Sequence, residues 1–152
     1  MTVERLTRPS QVLQVWEIFS EGLAHLQDLV KLFYDETQAK KLLCSIAADI
    51  NGGYISVAFS DAGDPVAFAV AREDTTPYSA RRTFCVYAFY YRPTFSQAVL
   101  SMMGCFEAWC CENKIRRYSV LARRSTTAAK RCFQQEKYGF QKMNFVFEKD
   151  IS

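Results

Sequence analysis

The chain has 152 residues, with a single histidine, six cysteines and a formal net charge of +3. That length predicts one domain, spanning residues 1–152, with a sizeable core. The small charge excess singles out no partner class, and no apolar run is long enough for a membrane span. The start, MTVERLTRPS, lacks the basic-then-apolar pattern of a secretory signal, so the expectation is a soluble, cytoplasmic protein.

Val3 to Leu6 reads as a short extended start. Pro9-Ser10 then marks a helix start with Ser10 as N-cap. Val12, Val15, Trp16, Phe19 and Leu23 follow at helical spacing and predict one amphipathic helix, loosened at Gly22. Leu26 to Tyr34 is apolar and fits either a continued helix or a helical lid. Glu36 to Ile50 predicts a second helix, with Leu42, Leu43, Ile46, Ala47 and Ile50 on one face. Asn51-Gly52-Gly53 ends it, because glycine tolerates the left-handed conformation of helix ends.

Tyr54 to Ser60 and Val66 to Glu73 alternate apolar and small residues around the turn Asp61-Ala62-Gly63-Asp64-Pro65, which predicts an antiparallel hairpin. Asp74 to Ala80 is a polar loop. Arg81 to Tyr91 is apolar at nearly every position and predicts a central strand covered on both faces. Ser96 to Asn113 is a third helix with a stripe of Val99, Met102, Met103, Phe106 and Trp109, the pattern of a core-facing surface. Tyr118 to Ala122 is a short strand reached by a helical crossover, hence parallel to Arg81–Tyr91. A fourth helix from Ser125 to about Lys137 and a last strand from Gln141 to Lys149 complete the order. The predicted class is α/β in the α+β sense: a mixed, mostly antiparallel sheet with one parallel pair and about four flanking helices.

Cys44, Cys85, Cys105, Cys110, Cys111 and Cys132 have no C-x-x-C spacing, and one histidine makes no zinc constellation. Reduced, mostly buried thiols are expected, with Cys110 and Cys111 pointing in different directions from one helix. His25 reads either as a base in a pocket formed by the first two helices or as an exposed helix-end residue. Arg116, Arg117, Arg123, Arg124, Lys130 and Arg131 concentrate positive charge in the C-terminal half. They fit a solvated rim, attraction of phosphates, or a nucleic-acid surface.

The segment Arg81 to Arg117 is strand, loop and helix. The loop between a strand's carboxyl end and a helix's amino end is a natural anion site. Three local features carry a resemblance. They are Tyr90-Tyr91-Arg92-Pro93 at the end of the strand, Glu107-Ala108-Trp109 in the helix, and Glu136-Lys137-Tyr138-Gly139-Phe140 near the C-terminus. Together with the element order, they make the chain similar to the GNAT superfamily of acyl-CoA N-acyltransferases, and in particular to its small bacteriophage members.

The resemblance implies acetyl-CoA as acyl donor and a small-molecule or protein amine as acceptor. The donor would lie in the splay between the Arg81–Tyr91 and Tyr118–Ala122 strands. Tyr90, Tyr91, Arg92, Thr94, Phe95, Ser96, Gln97 and Ala98 would be the residues at the donor, with its pyrophosphate on the loop Thr94–Ala98. Arg92 is the side chain expected to reach the pyrophosphate. The amine would enter past Gly22–Tyr34 and Asp74–Ala80. Glu73, Cys85 and Tyr138 are the catalytic candidates: a base at a strand end, the position where the family often carries a carboxylate, and a spare phenol. Tyr87, Tyr90 and Tyr91 are further spare phenols.

The chain departs from the family pattern in three places. Its loop has no glycine, and Phe95 stands where a ring would crowd a phosphate. Cys85 and Gln135 occupy positions where a carboxylate and a tyrosine are usual. These departures motivate a rival reading, a catalytically lapsed binding or assembly module working as a homo-oligomer or with virion proteins. A nucleic-acid-binding domain using the arginines is the third and weakest reading.

Overall fold

The computed structural model describes residues 1–30, 35–74 and 81–120. In chain order the elements are β1 (Thr2–Leu6), α1 (Pro9–Gln14), α2 (Trp16–Val30), α3 (Glu36–Ala48), β2 (Gly53–Phe59), β3 (Pro65–Asp74), β4 (Thr83–Tyr91), α4 (Gln97–Glu112) and β5 (Arg117–Val120). The strands form one sheet in the order β1-β2-β3-β4-β5. β1 to β4 pair antiparallel, and β5 runs parallel to β4. This is the mixed sheet that the sequence predicts. The expected helix at 125–137 and strand at 141–149 lie outside the described residues, as do Leu121 and Ala122 of the expected parallel strand.

The two-residue period of the strands sends alternate side chains to opposite faces, and each face has its own helices. On one face, Ala69, Ala71, Phe84 and Val86 pack with Val99, Met102, Met103 and Phe106 of α4. On the other, Val57, Phe68, Val70 and Ala88 pack with Val12, Ile18 and Phe19 of α1 and α2 and Leu43 and Ile46 of α3. Phe19, Phe68, Phe84 and Phe106 are fully buried, each worth roughly 1.5–3 kcal/mol of burial. The face of β4 toward α2 is less complete than predicted: Thr83, Cys85 and Tyr87 are half-buried.

The first predicted helix is two helices. Val15, at φ −114° and ψ 24°, breaks it. The break lets α1 pack on α3 while α2 crosses β3 and β4. Ser10 is not the cap. Pro9 takes the first helical position, Arg8 is the N-cap, and the Gln11 side-chain oxygen accepts from the backbone N–H groups of Thr7 and Arg8. Gly22 sits inside α2 rather than at its end. A Cβ there would strike the Phe68 ring and come within 2.7 Å of the Tyr90 Cβ, so the absence of a side chain lets the helix lie directly on the sheet.

α3 is capped by the Asp35 carboxylate, which accepts from the Gln38 N–H at 3.0 Å. Its far end does not use a left-handed glycine; among the described glycines only Gly63, at φ +88°, has positive φ. Gly52 instead donates to the Asp49 side chain, and a Cβ on Gly53 would meet Ile46. Gly63 serves the β2–β3 turn, where Ser60 N–H donates to Asp64 O at 2.9 Å. No helix among the described residues is long and apolar enough to cross a membrane.

Candidate functional site

β4 is the strand on which the site is built, because among the described strands it alone joins an antiparallel neighbour to a parallel one. Its pairing with β5 runs from Thr83↔Arg117 to Val86↔Val120. At the next residue the register with β3 slips: Ala71 pairs Val86, but Val70 pairs Ala88. Tyr87 is therefore the extra residue of a β-bulge. A bulge takes backbone groups out of the ladder and re-aims side chains. Here it puts two successive residues, Tyr87 and Ala88, on the α1–α3 face.

The bulge leaves the Tyr87 phenol in an unusual position. Its hydroxyl is buried and has no hydrogen-bond partner among the described residues. Burial pushes its pKa up to about 12, against a smaller lowering influence from Arg72. Tyr87 thus stays protonated at neutral pH and holds an unused donor. The sequence marks it only as one spare tyrosine among several, since a bulge leaves no trace in an all-apolar run.

The loop after β4 is held from both sides. Arg92 N–H donates to Val66 O, Phe95 N–H to Arg92 O, and Ala98 N–H to Phe95 O. The Phe95 ring packs on the α4-side core. It therefore anchors the loop. Ala98 is buried, while Thr94, Ser96 and Gln97 are exposed. Ser96 is helical, at φ −58° and ψ −30°, and its side chain makes no cap. No described acceptor takes the N–H groups of Thr94, Ser96 or Gln97. The start of α4 therefore offers uncommitted donors, which fits an anion even without glycine.

Arg92 is placed beside this loop but is already engaged. Its Nε donates to Glu21 at 2.9 Å and its guanidinium reaches Glu17 at 3.1 Å, both on α2. Hydrogen bonding to Glu21, ahead of the other influences, holds its pKa above the usual arginine value. Two carboxylates around one guanidinium leave no free positive charge for a phosphate at this point. Nothing local in the sequence connects Glu17 and Glu21 to a residue so far along the chain.

The predicted donor-side tyrosines are split between faces. Tyr91 packs with the α4-side core and Tyr90 with the α2 side. The Tyr90 ring lies 6.1 Å from Phe68 and 5.7 Å from His25. Burial first, then Glu21, raises its pKa. His25 itself is exposed on α2.

The catalytic candidates are not brought together with the loop. Glu73 is opposite Phe84 at the start of β4 and is bound by Arg82 at 2.9 Å. Ten residues separate Phe84 from Thr94, roughly 30 Å along an extended strand. Cys85 is half-buried, opposite Arg72 on one side and Ser119 on the other. Tyr138 lies outside the described residues. The thiols differ from the expectation of mostly buried groups. Cys110 is buried, Cys44 and Cys85 are intermediate, and Cys105 and Cys111 are exposed on α4; all are free. The expected divergence of Cys110 and Cys111 is present. No group of three potential metal ligands occurs among the described residues.

Glu107 and Trp109 of α4 have structural work. Tyr118 of β5 donates to Glu107 at 2.6 Å, and Trp109 packs on Tyr54, Phe84 and Phe106. Glu107 ties the crossover helix to β5, and Trp109 ties it to β2 and β4.

No family model and no curated protein matches the sequence. Solved structures do. Ribosomal-protein-alanine N-acetyltransferase from Brucella melitensis biovar Abortus 2308 superposes with a TM-score of 0.70 at 9% identity, covering 99% of each chain. Aminoglycoside 6′-N-acetyltransferase AAC(6′)-IG from Acinetobacter haemolyticus gives 0.70 at 17% identity, covering all of both chains. An aminoglycoside acetyltransferase from an uncultured soil metagenomic sample, in complex with trehalose, gives 0.69 at 14% identity over 99% of this chain and 96% of that one. The described residues form a five-stranded mixed sheet with a crossover helix, and the chain has the fold of the GNAT-type acetyltransferases.

Proposed function

We propose that the chain is a GNAT-type acyltransferase that moves an acetyl group from acetyl-CoA to a primary amine. The observation that carries this reading is the run along one strand: a parallel partner alongside Thr83–Val86, a bulge at Tyr87, and uncommitted helix-start donors seven residues on at Thr94. A donor with an anionic end and a reactive end needs both features, separated along one track.

Acetyl-CoA supplies an activated thioester carbonyl when bound. The N–H groups of Thr94, Ser96 and Gln97 would hold its phosphate oxygens at the positive end of the α4 dipole. The backbone freed at the Tyr87 bulge would polarise the acyl carbonyl, and the fixed strand would orient the reactants. Glu73 is held by Arg82, so among the described candidates no uncommitted carboxylate takes the amine's proton, and we assign that step to water. The amine must lose its proton before it attacks, so kcat/KM should rise about tenfold per pH unit up to the acceptor amine's own pKa, about 8 for an α-amine and about 10.4 for a lysine-like one.

Calorimetric titration with acetyl-CoA tests the reading. Saturable binding below millimolar concentration is expected, and no binding at millimolar ligand would sink it. One observation favours the rival reading of a lapsed binding or assembly module, as a homo-oligomer or on a virion: Arg92, the arginine between β4 and the loop, is neutralised by Glu17 and Glu21. The same titration decides between them.

A further inference from the structure

Arg72 of β3 pairs with Cys85 of β4. Ala71 and Val86 face α4, so alternation puts Arg72 and Cys85 on the α1–α3 face, the face that also carries Tyr87. Tyr87 lies diagonal to Arg72 across the ladder, a neighbour spacing of about 7–8 Å that long side chains bridge. The two side chains sense each other electrostatically. Arg72 is exposed, and among the described residues no carboxylate pairs with it. Among the described residues, a buried hydroxyl without a hydrogen-bond partner thus lies one diagonal step from a guanidinium with no carboxylate partner.

We propose that Tyr87 and Arg72 form the recognition pair for the acyl acceptor, and that they take a carboxylate carried by the amine substrate. Resting on the acyltransferase reading, this assigns the acceptor to amino-acid-like or peptide amines rather than polycationic ones. The anion that suits the pair is not the donor's own pyrophosphate. In that reading the pyrophosphate sits at Thr94–Gln97, about 20 Å further along the strand. The phenol donates its O–H to one carboxylate oxygen, and the guanidinium supplies the opposite charge at the exposed edge. No proton is transferred in this role. A phenol whose pKa burial has raised would give up its proton poorly to a departing thiolate, whose ordinary pKa is about 8.5.

The test uses the full chain, acetyl-CoA, and two matched acceptors, alanylalanine and alanylalanine amide. Wild type should favour the free acid in kcat/KM by roughly ten- to a hundredfold. Tyr87→Phe and the surface variant Arg72→Gln should each bring the two acceptors to near equality, mainly through KM, with acetyl-CoA affinity as the control. Tyr87→Phe should also keep or raise the melting temperature, because it removes an unpaired buried hydroxyl. A structural tyrosine would instead lower stability and both rates together. Equal use of acid and amide by wild type, preference for a polyamine such as spermidine, or consumption of neither dipeptide while acetyl-CoA binds would each overturn the proposal. Failure to bind acetyl-CoA at all would overturn the acyltransferase reading beneath it.

Discussion

Arg92 Nε donates to Glu21 Oε2 at 2.9 Å, tying the loop end of β4 to the middle of α2. Glu17 adds a second contact from the same helix. Because all three side chains are partly or largely solvated, the cluster is worth only about 0.5–1 kcal/mol. Arg92→Ala should therefore lower the melting temperature by roughly 1–4 °C. It should change acetyl-CoA affinity less than about threefold, since the guanidinium is already spent. A tenfold loss measured by calorimetry would show that Arg92 leaves its carboxylates for the phosphate.

Two helical glycines should respond in opposite directions to the same substitution. In Gly22→Ala the new methyl meets Phe68 and Tyr90. The overpacking cost of about 1–3 kcal/mol outweighs a helix-propensity gain of about 1 kcal/mol. Gly104 in α4 has nothing within 4 Å of the point where a Cβ would stand, so Gly104→Ala should stabilise by about 0.5–1 kcal/mol. Urea midpoints check both. A stabilising Gly22→Ala would mean that α2 does not rest on the sheet as described.

Much of this architecture is legible in the sequence. The hairpin, the parallel strand and the α4 stripe all follow from periodicity, because each strand face meets its own helix layer and must alternate. What the sequence hides is tertiary. Gly22 reads as a weak helix position until Phe68 and Tyr90 come against it. The Tyr87 bulge is invisible in a run where every neighbour is apolar or aromatic. Arg92 reads as a free cation because its two carboxylates lie on α2, far back in the chain. The loop Thr94–Ala98 is legible as a helix start from its position alone. The inward turn of Phe95 depends on the α4-side core, which no local pattern reports.

Alkaline pH should unfold the protein through its buried phenols. Burial raises both Tyr54 and Tyr87 from 10 to about 12. The unfolded chain loses these protons near pH 10, and the folded chain holds them until about 12. Between those values the unfolded state binds fewer protons, so stability falls as pH rises. It is fully present below pH 10 and is lost by roughly 2–3 kcal/mol per tyrosine across the window. Tyrosinate absorbance should rise in step with loss of circular dichroism. Tyr87→Phe should make the fall shallower. A tyrosinate signal complete near pH 10 with the fold intact would contradict the burial of both rings.

Gln97→Glu separates what helps the helix from what helps an anion. Gln97 is the first residue of α4, is exposed, and follows a residue that makes no side-chain cap. A carboxylate there meets the positive end of the helix dipole and should stabilise the free protein by about 0.3–1 kcal/mol. The same charge would stand among the N–H groups assigned to the acyl donor's phosphates. It should weaken acetyl-CoA binding by roughly tenfold, and more at low salt, where screening over about 10 Å is relaxed. A higher melting temperature with a weaker dissociation constant, both measured on one preparation, is the expected pair. An unchanged dissociation constant would remove the phosphates from this helix start and shift the balance toward the lapsed-module reading.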